Sequence, residues 1–290
     1  MTVVRRTESH FRGFDGLGLF RRAWLPAEPR HTLAVVHGYA EHSGRYEGFG
    51  SWFAERGFAV HAYDHRGHGR SRGRRCHVGA FQEYLDDLDR FVEIVREEHS
   101  EIPITLVGHS MGGLVTVAYL VDRRPPIHSA VTSGAGLALG QGISWLRVRA
   151  ARILRHLLPR FSLRSGLDPD GLSRDPEVIK SYLEDPLVSR SMTTSLTAEL
   201  LGAVPGTAAR AVDVAVPLFM LHGEEDPLCP AEGSRAFFDG VAIAGSDLRI
   251  YPKLRHEIFN EPERERVYLD ILDWLEGLSG MNESGAERHG

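Results

Sequence analysis

Short apolar, β-branched runs alternate with amphipathic helical segments along this chain, which predicts an α/β fold: a mostly parallel sheet with helices on both faces. Two further observations sharpen the expectation. A Gly-x-Ser-x-Gly at 108–112 stands between an apolar run and a helical pattern. The alternation itself lapses between about Gly140 and Arg210 and then resumes. That stretch holds helical segments and Pro/Gly/Asp punctuation but no strand pattern, as expected of an inserted helical cap rather than a separate domain.

The elements follow in order. Phe14 to Leu25, with Asp15-Gly16 as its turn signal, reads as an opening antiparallel hairpin. Leu33–Val36 and Phe58–Tyr63 are the next strands, with a helix near Tyr46 to Arg56 between them. Phe81, Tyr84, Leu85, Leu88, Val92 and Val95 recur at helical spacing, so that helix packs one face on the sheet. Ile104–Val107 reads as a buried strand, and Met111 to Arg123 as a helix with Leu114, Val117, Ala118 and Val121 on one side. Strands near 130–133, 218–221 and 248–251 follow, and a last helix aligns Val267, Ile271, Leu275 and Leu278. The expected organisation is therefore core at 1–139, cap at 140–210, core again at 211–279, and a polar, flexible tail at 280–290.

Bulk composition narrows the function classes. With 42% hydrophobic and 25% charged residues the chain reads as soluble and globular, and a net charge of −5 argues against a nucleic-acid partner. The two cysteines, Cys76 and Cys229, are too far apart in sequence to suggest a disulfide framework or a thiolate metal site. The first residues contain no apolar signal core, and no run approaches the roughly 18 apolar residues of a membrane span. A cytoplasmic chain is expected, with no cofactor and no metal.

The Gly-x-Ser-x-Gly puts Ser110 at a turn sharp enough to strain its backbone and lift its Oγ clear of the sheet, beside the free N–H groups of a helix start. A serine hydroxyl becomes a useful nucleophile only when a base takes its proton and a third group orients that base. In enzymes built on this turn, the acid and the histidine follow the serine, each after a later strand. Asp226 follows the 217–221 strand directly, with Glu224 and Glu225 as nearby alternatives; His256 follows the last strand and precedes the last helix. Among 15 histidines, His109 and His222 read as hydrogen-bonded packing residues. His61, His65 and His68 have a spacing that could suit a metal, but the glycines of Asp64-His65-Arg66-Gly67-His68-Gly69-Arg70-Ser71 favour a tight loop. Oxyanion donors are expected at the amide of Met111, directly after the nucleophile, and at that of Tyr39, in the His37-Gly38-Tyr39 loop after an earlier strand.

With these residues in view the chain resembles the monoacylglycerol lipase and lysophospholipase branch of the α/β-hydrolases, the serine aminopeptidase-like group. The matching blocks are HGYAEHSGRY at 37–46, YDHRGHGRS at 63–71, LVGHSMGG at 106–113, SRDPEVIKSYLEDPLV at 173–188, HGEEDPLCP at 222–230 and RHEIFNEPE at 255–263. The resemblance implies an α/β-hydrolase fold with an eight-stranded sheet, a lid over an acyl-binding tunnel, and hydrolysis of a glycerol monoester. It supports Ser110, Asp226 and His256 as the catalytic set and Tyr39 and Met111 as oxyanion donors. Glu41, Arg45 and Tyr182 match positions that line the polar, glycerol end of the pocket. One departure is Phe259, where the animal enzymes have a second polar contact; Cys229 matches a cysteine near their active site.

From Ile143 to Leu167 the cap interleaves Ile143, Leu146, Ile153, Leu154, Leu157 and Leu158 with Arg147, Arg149, Arg152, Arg155, Arg160 and Arg164, and no acidic residue falls among them. Such a segment can cover the site as a lid, or lie at an anionic membrane surface as a peripheral contact. The expected activity is cleavage of monoacylglycerols to glycerol and fatty acid through an acyl-enzyme on Ser110. The alternatives are lysophospholipase or broad carboxylesterase action, and a non-catalytic ligand-binding role on the same scaffold. Peptidase action is disfavoured because no carboxylate cluster dedicated to an α-amino group is legible.

Overall fold

The computed structural model describes residues 3–138 and 145–286. Along the chain, β1 (Arg5–Arg12) and β2 (Gly18–Leu25) form an antiparallel hairpin, followed by β3 (His31–Val36), α1 (Glu47–Ala54), β4 (Phe58–Tyr63), α2 (Gln82–Glu98), β5 (Ile104–His109), α3 (Met111–Arg123) and β6 (Ser129–Ser133). The chain then leaves the sheet for α4 (Trp145–Leu157), β7 (Ser162–Arg164), α5 (Pro176–Glu184), β8 (Ser191–Thr193) and α6 (Thr194–Ala208). It returns through β9 (Leu218–Gly223), α7 (Ala231–Phe238), β10 (Asp247–Tyr251) and α8 (Arg264–Ala286). The main sheet has eight strands in the order β1-β2-β4-β3-β5-β6-β9-β10. β2 runs antiparallel to both its neighbours, and every other adjacent pair is parallel.

The period-two alternation of the strands splits the core into two layers. Leu33, Val35, Val60, Val107, Val131, Phe219 and Leu221 face α1 and α8, where Phe49, Phe53, Val267, Ile271 and Leu275 meet them. Ala34, Val36, Leu106, Ala130, Leu218 and Met220 face the opposite layer, built on α2 and α3. Leu196 and Val204 of α6 belong to that second layer, so the last helix of the excursion is tied to the core. Among the described residues no helix is long and apolar enough to cross a membrane.

Four details differ from the sequence reading. The first hairpin strand lies upstream of Phe14, at Arg5–Arg12, where seven of eight residues are polar or charged and no apolar alternation marks it. β7 and β8 pair antiparallel within the stretch where the sequence shows no strand pattern; each has three residues, too few for a periodic signal. α7, after the expected acid, is a helix of eight residues with Glu232 in its first turn. The tail expected to begin at 280 instead continues α8 to Ala286, because a started helix gains one hydrogen bond per added residue and nothing in Gly280–Ala286 is a proline.

Candidate active site

Ser110 sits between β5 and α3 with φ 54° and ψ −116°, a left-handed conformation that a residue with a side chain rarely adopts. The turn is held by its own backbone: the Ser110 N–H donates to Ser133 O (2.9 Å), and Ser110 O accepts from Leu114 N (3.0 Å) and Gly136 N (3.1 Å). Gly108 and Gly112 are there for close approach. A Cβ on Gly112 would lie 2.0 Å from Val36 O, and one on Gly108 would lie 2.3 Å from Thr116 Oγ1. Met111 opens α3 directly after Ser110, so its N–H has no acceptor inside the helix.

Asp226, beyond the end of β9, is buried and fully hydrogen-bonded. Its Oδ1 accepts from the amides of Leu228 and Cys229, both at 2.9 Å. Its Oδ2 meets His256 Nδ1 at 2.7 Å and His222 Nε2 at 3.1 Å. Burial opposes the charge, but the His256 imidazole and these hydrogen bonds outweigh it and hold the carboxyl well below the usual carboxylate range. The same contact acts on His256: burial pushes its pKa down, Asp226 pushes it up further, and the net shift is upward. Glu224 and Glu225, the alternative acids, are exposed, and neither replaces Asp226 at the imidazole. His109 is a packing residue, its Nδ1 at 3.0 Å from Ser133 O and its ring 4.7 Å from that of His256. His222 is another, with Ser234 Oγ at 2.8 Å on its other ring nitrogen.

The loop after β3 reaches Ser110 because Gly38 has no side chain. A Cβ there would lie 3.1 Å from Ser110 Cβ and 2.9 Å from Glu41 Oε1, so the Gly38–Tyr39 backbone passes directly over Ser110. The loop after β4 supports it from below: His65 N–H donates to His37 Nε2 (2.9 Å), and His65 Nε2 meets His37 O (3.1 Å). That second loop is anchored by buried Arg66, paired with Asp87 (2.6 Å) and Glu83 (2.7 Å). His61 does not join His65 and His68. It points the other way from β4, its Nε2 2.9 Å from His99 Nε2, with Glu98 alongside but already spanned by Arg21. Burial, His99 and Arg21 push the His61 pKa down to about 3.

Ser110, His256, Asp226, Tyr39, Glu41 and Tyr182 all line one cavity of about 710 Å³, ample for an aliphatic chain with a polar head. Leu167, Leu172, Pro227, Leu228 and Ala231 give it an apolar wall. At the polar end Glu41 Oε1 accepts from Gly38 N (2.5 Å) and Tyr46 OH (2.8 Å). Arg45 lies one layer back, between Glu41 (3.5 Å) and Glu257 (2.5 Å) and against the ring of Tyr182 (4.8 Å). Burial and the Glu257 carboxylate raise the Glu41 pKa against the pull of Arg45. Glu257 is the residue that sequence reasoning missed; its one signal was a charge directly after His256, and the Arg45 partner 212 positions away was not legible. Phe259 is buried against Phe49 (5.0 Å) outside the main cavity, and the Cys229 thiol contacts the Ser110 side chain.

The chain is similar to known proteins over most of its length. The family model described as serine aminopeptidase, S33, matches residues 27–263. A monoacylglycerol lipase of Mycolicibacterium smegmatis is 38% identical, the match covering 95% of this chain and 99% of the relative. A phospholipase of Bacillus subtilis is 31% identical over 84% of this chain and 95% of its own. Among solved structures, the monoacylglycerol lipase of Paleococcus ferrophilus superposes with a TM-score of 0.80 at 30% identity, covering 95% of this chain and 99% of that one.

Proposed function

The chain belongs to the serine aminopeptidase (S33) family of α/β-hydrolases and is a carboxylic-ester hydrolase, and from that premise we propose a mechanism in which it cleaves monoacylglycerols to glycerol and fatty acid. The observation that bears most weight is the strained Ser110 sharing a cavity with a 2.7 Å Asp226–His256 pair.

With Nδ1 of His256 engaged by Asp226, the other ring nitrogen, Nε2, takes the Ser110 proton as Oγ attacks the ester carbonyl. The oxyanion is held by the amides of Met111 and Tyr39, donors fixed before the reaction and therefore free of reorganisation cost. The imidazolium then protonates the departing glycerol oxygen, and Asp226 stabilises that charge. Water repeats the sequence on the acyl-enzyme and releases the fatty acid. Glu41 and Tyr182 line the end of the cavity where glycerol hydroxyls would lie, with Arg45 behind them. No step calls on a metal or cofactor.

The exposed face of the cap offers a lipid contact. Ile153, Leu154, Leu157, Leu158, Phe161 and Leu163 are all exposed, with Arg149, Arg160 and Arg164 exposed among them. Arg155 is instead paired with Glu199; Ile143 lies outside the described residues, as do the side chains of Leu146, Arg147 and Arg152. This apolar and basic surface suits peripheral contact with an anionic membrane. The direct test of the chemistry is hydrolysis of 1-oleoylglycerol by the whole protein. Ser110→Ala should lower kcat by about 10⁴-fold or more, since members of such a set act as a unit. Turnover that survives the substitution would end the mechanism.

A further inference from the structure

The cavity around Ser110 carries charge of one sign. Glu41, Glu224, Asp226, Glu232 and Glu257 line it, and no Lys or Arg does among the described residues. The two carboxylates at its alcohol end, Glu41 and Glu257, are each 4% exposed. Among the described residues they share one cation, Arg45, which borders the two neighbouring cavities and is covered by the Tyr182 ring. Two carboxyl groups against one guanidinium leave no free positive charge to receive an anion, and a surplus negative charge once both are ionised. Glu224 and Glu232, exposed at the mouth, add to it. The described cap arginines do not offset it: among the described residues of that segment Ser165, Gly166 and Leu167 reach the cavity, Arg155 is paired with Glu199, and Arg149, Arg160 and Arg164 are exposed without lining it.

We propose that Glu257, together with Glu41, makes the alcohol end of the cavity a charge filter, so that esters of neutral alcohols are cleaved and esters whose alcohol bears a phosphate are rejected. The proposal rests on the ester-hydrolase reading of Ser110 and names the leaving groups it accepts. A phosphate on the far hydroxyl of the glycerol, its phosphorus five bonds from the ester oxygen, would be driven against two buried carboxylates. Buried charges are screened far less by salt than surface ones, so the rejection persists at physiological ionic strength. Both carboxylates also favour the charged form of His256, which ties them to the reacting end of the cavity rather than to the acyl wall.

A matched pair of substrates tests this: 1-octanoylglycerol and 1-octanoylglycerol 3-phosphate, which share acyl chain and ester, both kept below their aggregation concentrations. The wild-type protein should show a kcat/KM about 100-fold lower for the phosphate, the scale of a like-charge juxtaposition in a partly desolvated site. In Glu257→Gln, which also leaves Arg45 less neutralised, that ratio should narrow by about tenfold. Any effect of the substitution on His256 moves both substrates together and cancels in the ratio. Phosphate ester turned over within about threefold of the neutral one would overturn the filter, as like charges at this range cost far more. A ratio unmoved in both Glu257→Gln and Glu41→Gln would remove these residues from the role. If the wild type cleaves neither substrate, the hydrolase reading itself fails, and this inference with it; the wild-type comparison stands even where a variant does not fold.

Discussion

Four hydrogen bonds converge on the two oxygens of Asp226, and they fix how the imidazole of His256 titrates. His256 is held above its ordinary value of 6.5, so it stays protonated, and useless as a base, to a higher pH than a free imidazole. Activity must therefore rise with pH through that raised pKa, and the acid limb of kcat/KM is expected on the alkaline side of 6.5. Asp226→Asn removes the charge responsible. It should lower kcat by about 10⁴-fold and move the limb of the residual activity to lower pH. A pH–rate profile of the two proteins decides the matter, and an unmoved limb would take Asp226 out of contact with the base. The neighbouring Cys229 thiol is pushed up by burial and by Asp226, so it remains a neutral neighbour of Ser110 and does not compete as a nucleophile.

At the scale of elements, the position of Ser110 depends on how closely α3 approaches β3. A methyl group at Gly112 would stand 2.0 Å from Val36 O and 2.4 Å from His37 O, both backbone atoms of the strand and loop that position the Tyr39 amide. Neither can yield without moving the loop that carries the proposed Tyr39 oxyanion donor. Gly112→Ala is expected to cost about 1–3 kcal/mol in a urea titration, the usual range for overpacking, and to depress kcat far more than its stability loss explains. A variant with wild-type kcat would mean that the loop is not held by this contact. The loop after β4 shows a related dependence. Arg66 is buried with Asp87, and that pair fixes the peptide from which His65 braces His37.

For the molecule as a whole, the mouth of the site and the apolar face of the cap have to meet a substrate that prefers lipid to water. Leu157 is 71% exposed and stands among five other exposed apolar residues and exposed arginines. Burying one such side chain in a bilayer interface is worth about 1.5–3 kcal/mol, and each basic residue near an anionic surface adds about 1 kcal/mol at low salt. The protein should co-sediment with phosphatidylglycerol vesicles in low salt and release as salt rises. Leu157→Asp should weaken binding by tenfold or more, by about the same arithmetic, while leaving hydrolysis of a short, soluble ester at the wild-type rate. No binding in low salt would remove the membrane from the account.

Much of this architecture could be read from residue order. Buried parallel strands are near-continuous apolar runs, so β3 to β6 and β9 were legible, and Leu248, Ile250 and Tyr251 marked β10 although it is a half-buried edge strand. A polar edge strand such as β1, or three-residue strands such as β7 and β8, has no such signature. By itself the sequence determined the fold class, the elbow at Ser110, and a carboxylate and a histidine each following a later strand, because these are local patterns of spacing and chain order. Tertiary structure alone decided what depends on distant residues meeting. Asp226 rather than Glu224 or Glu225 faces the imidazole, His61 turns to His99, and Arg45 closes on Glu257 across 212 positions. Charge at a site is a sum over neighbours in space, and the sign of this cavity became visible only once the chain had brought those neighbours together.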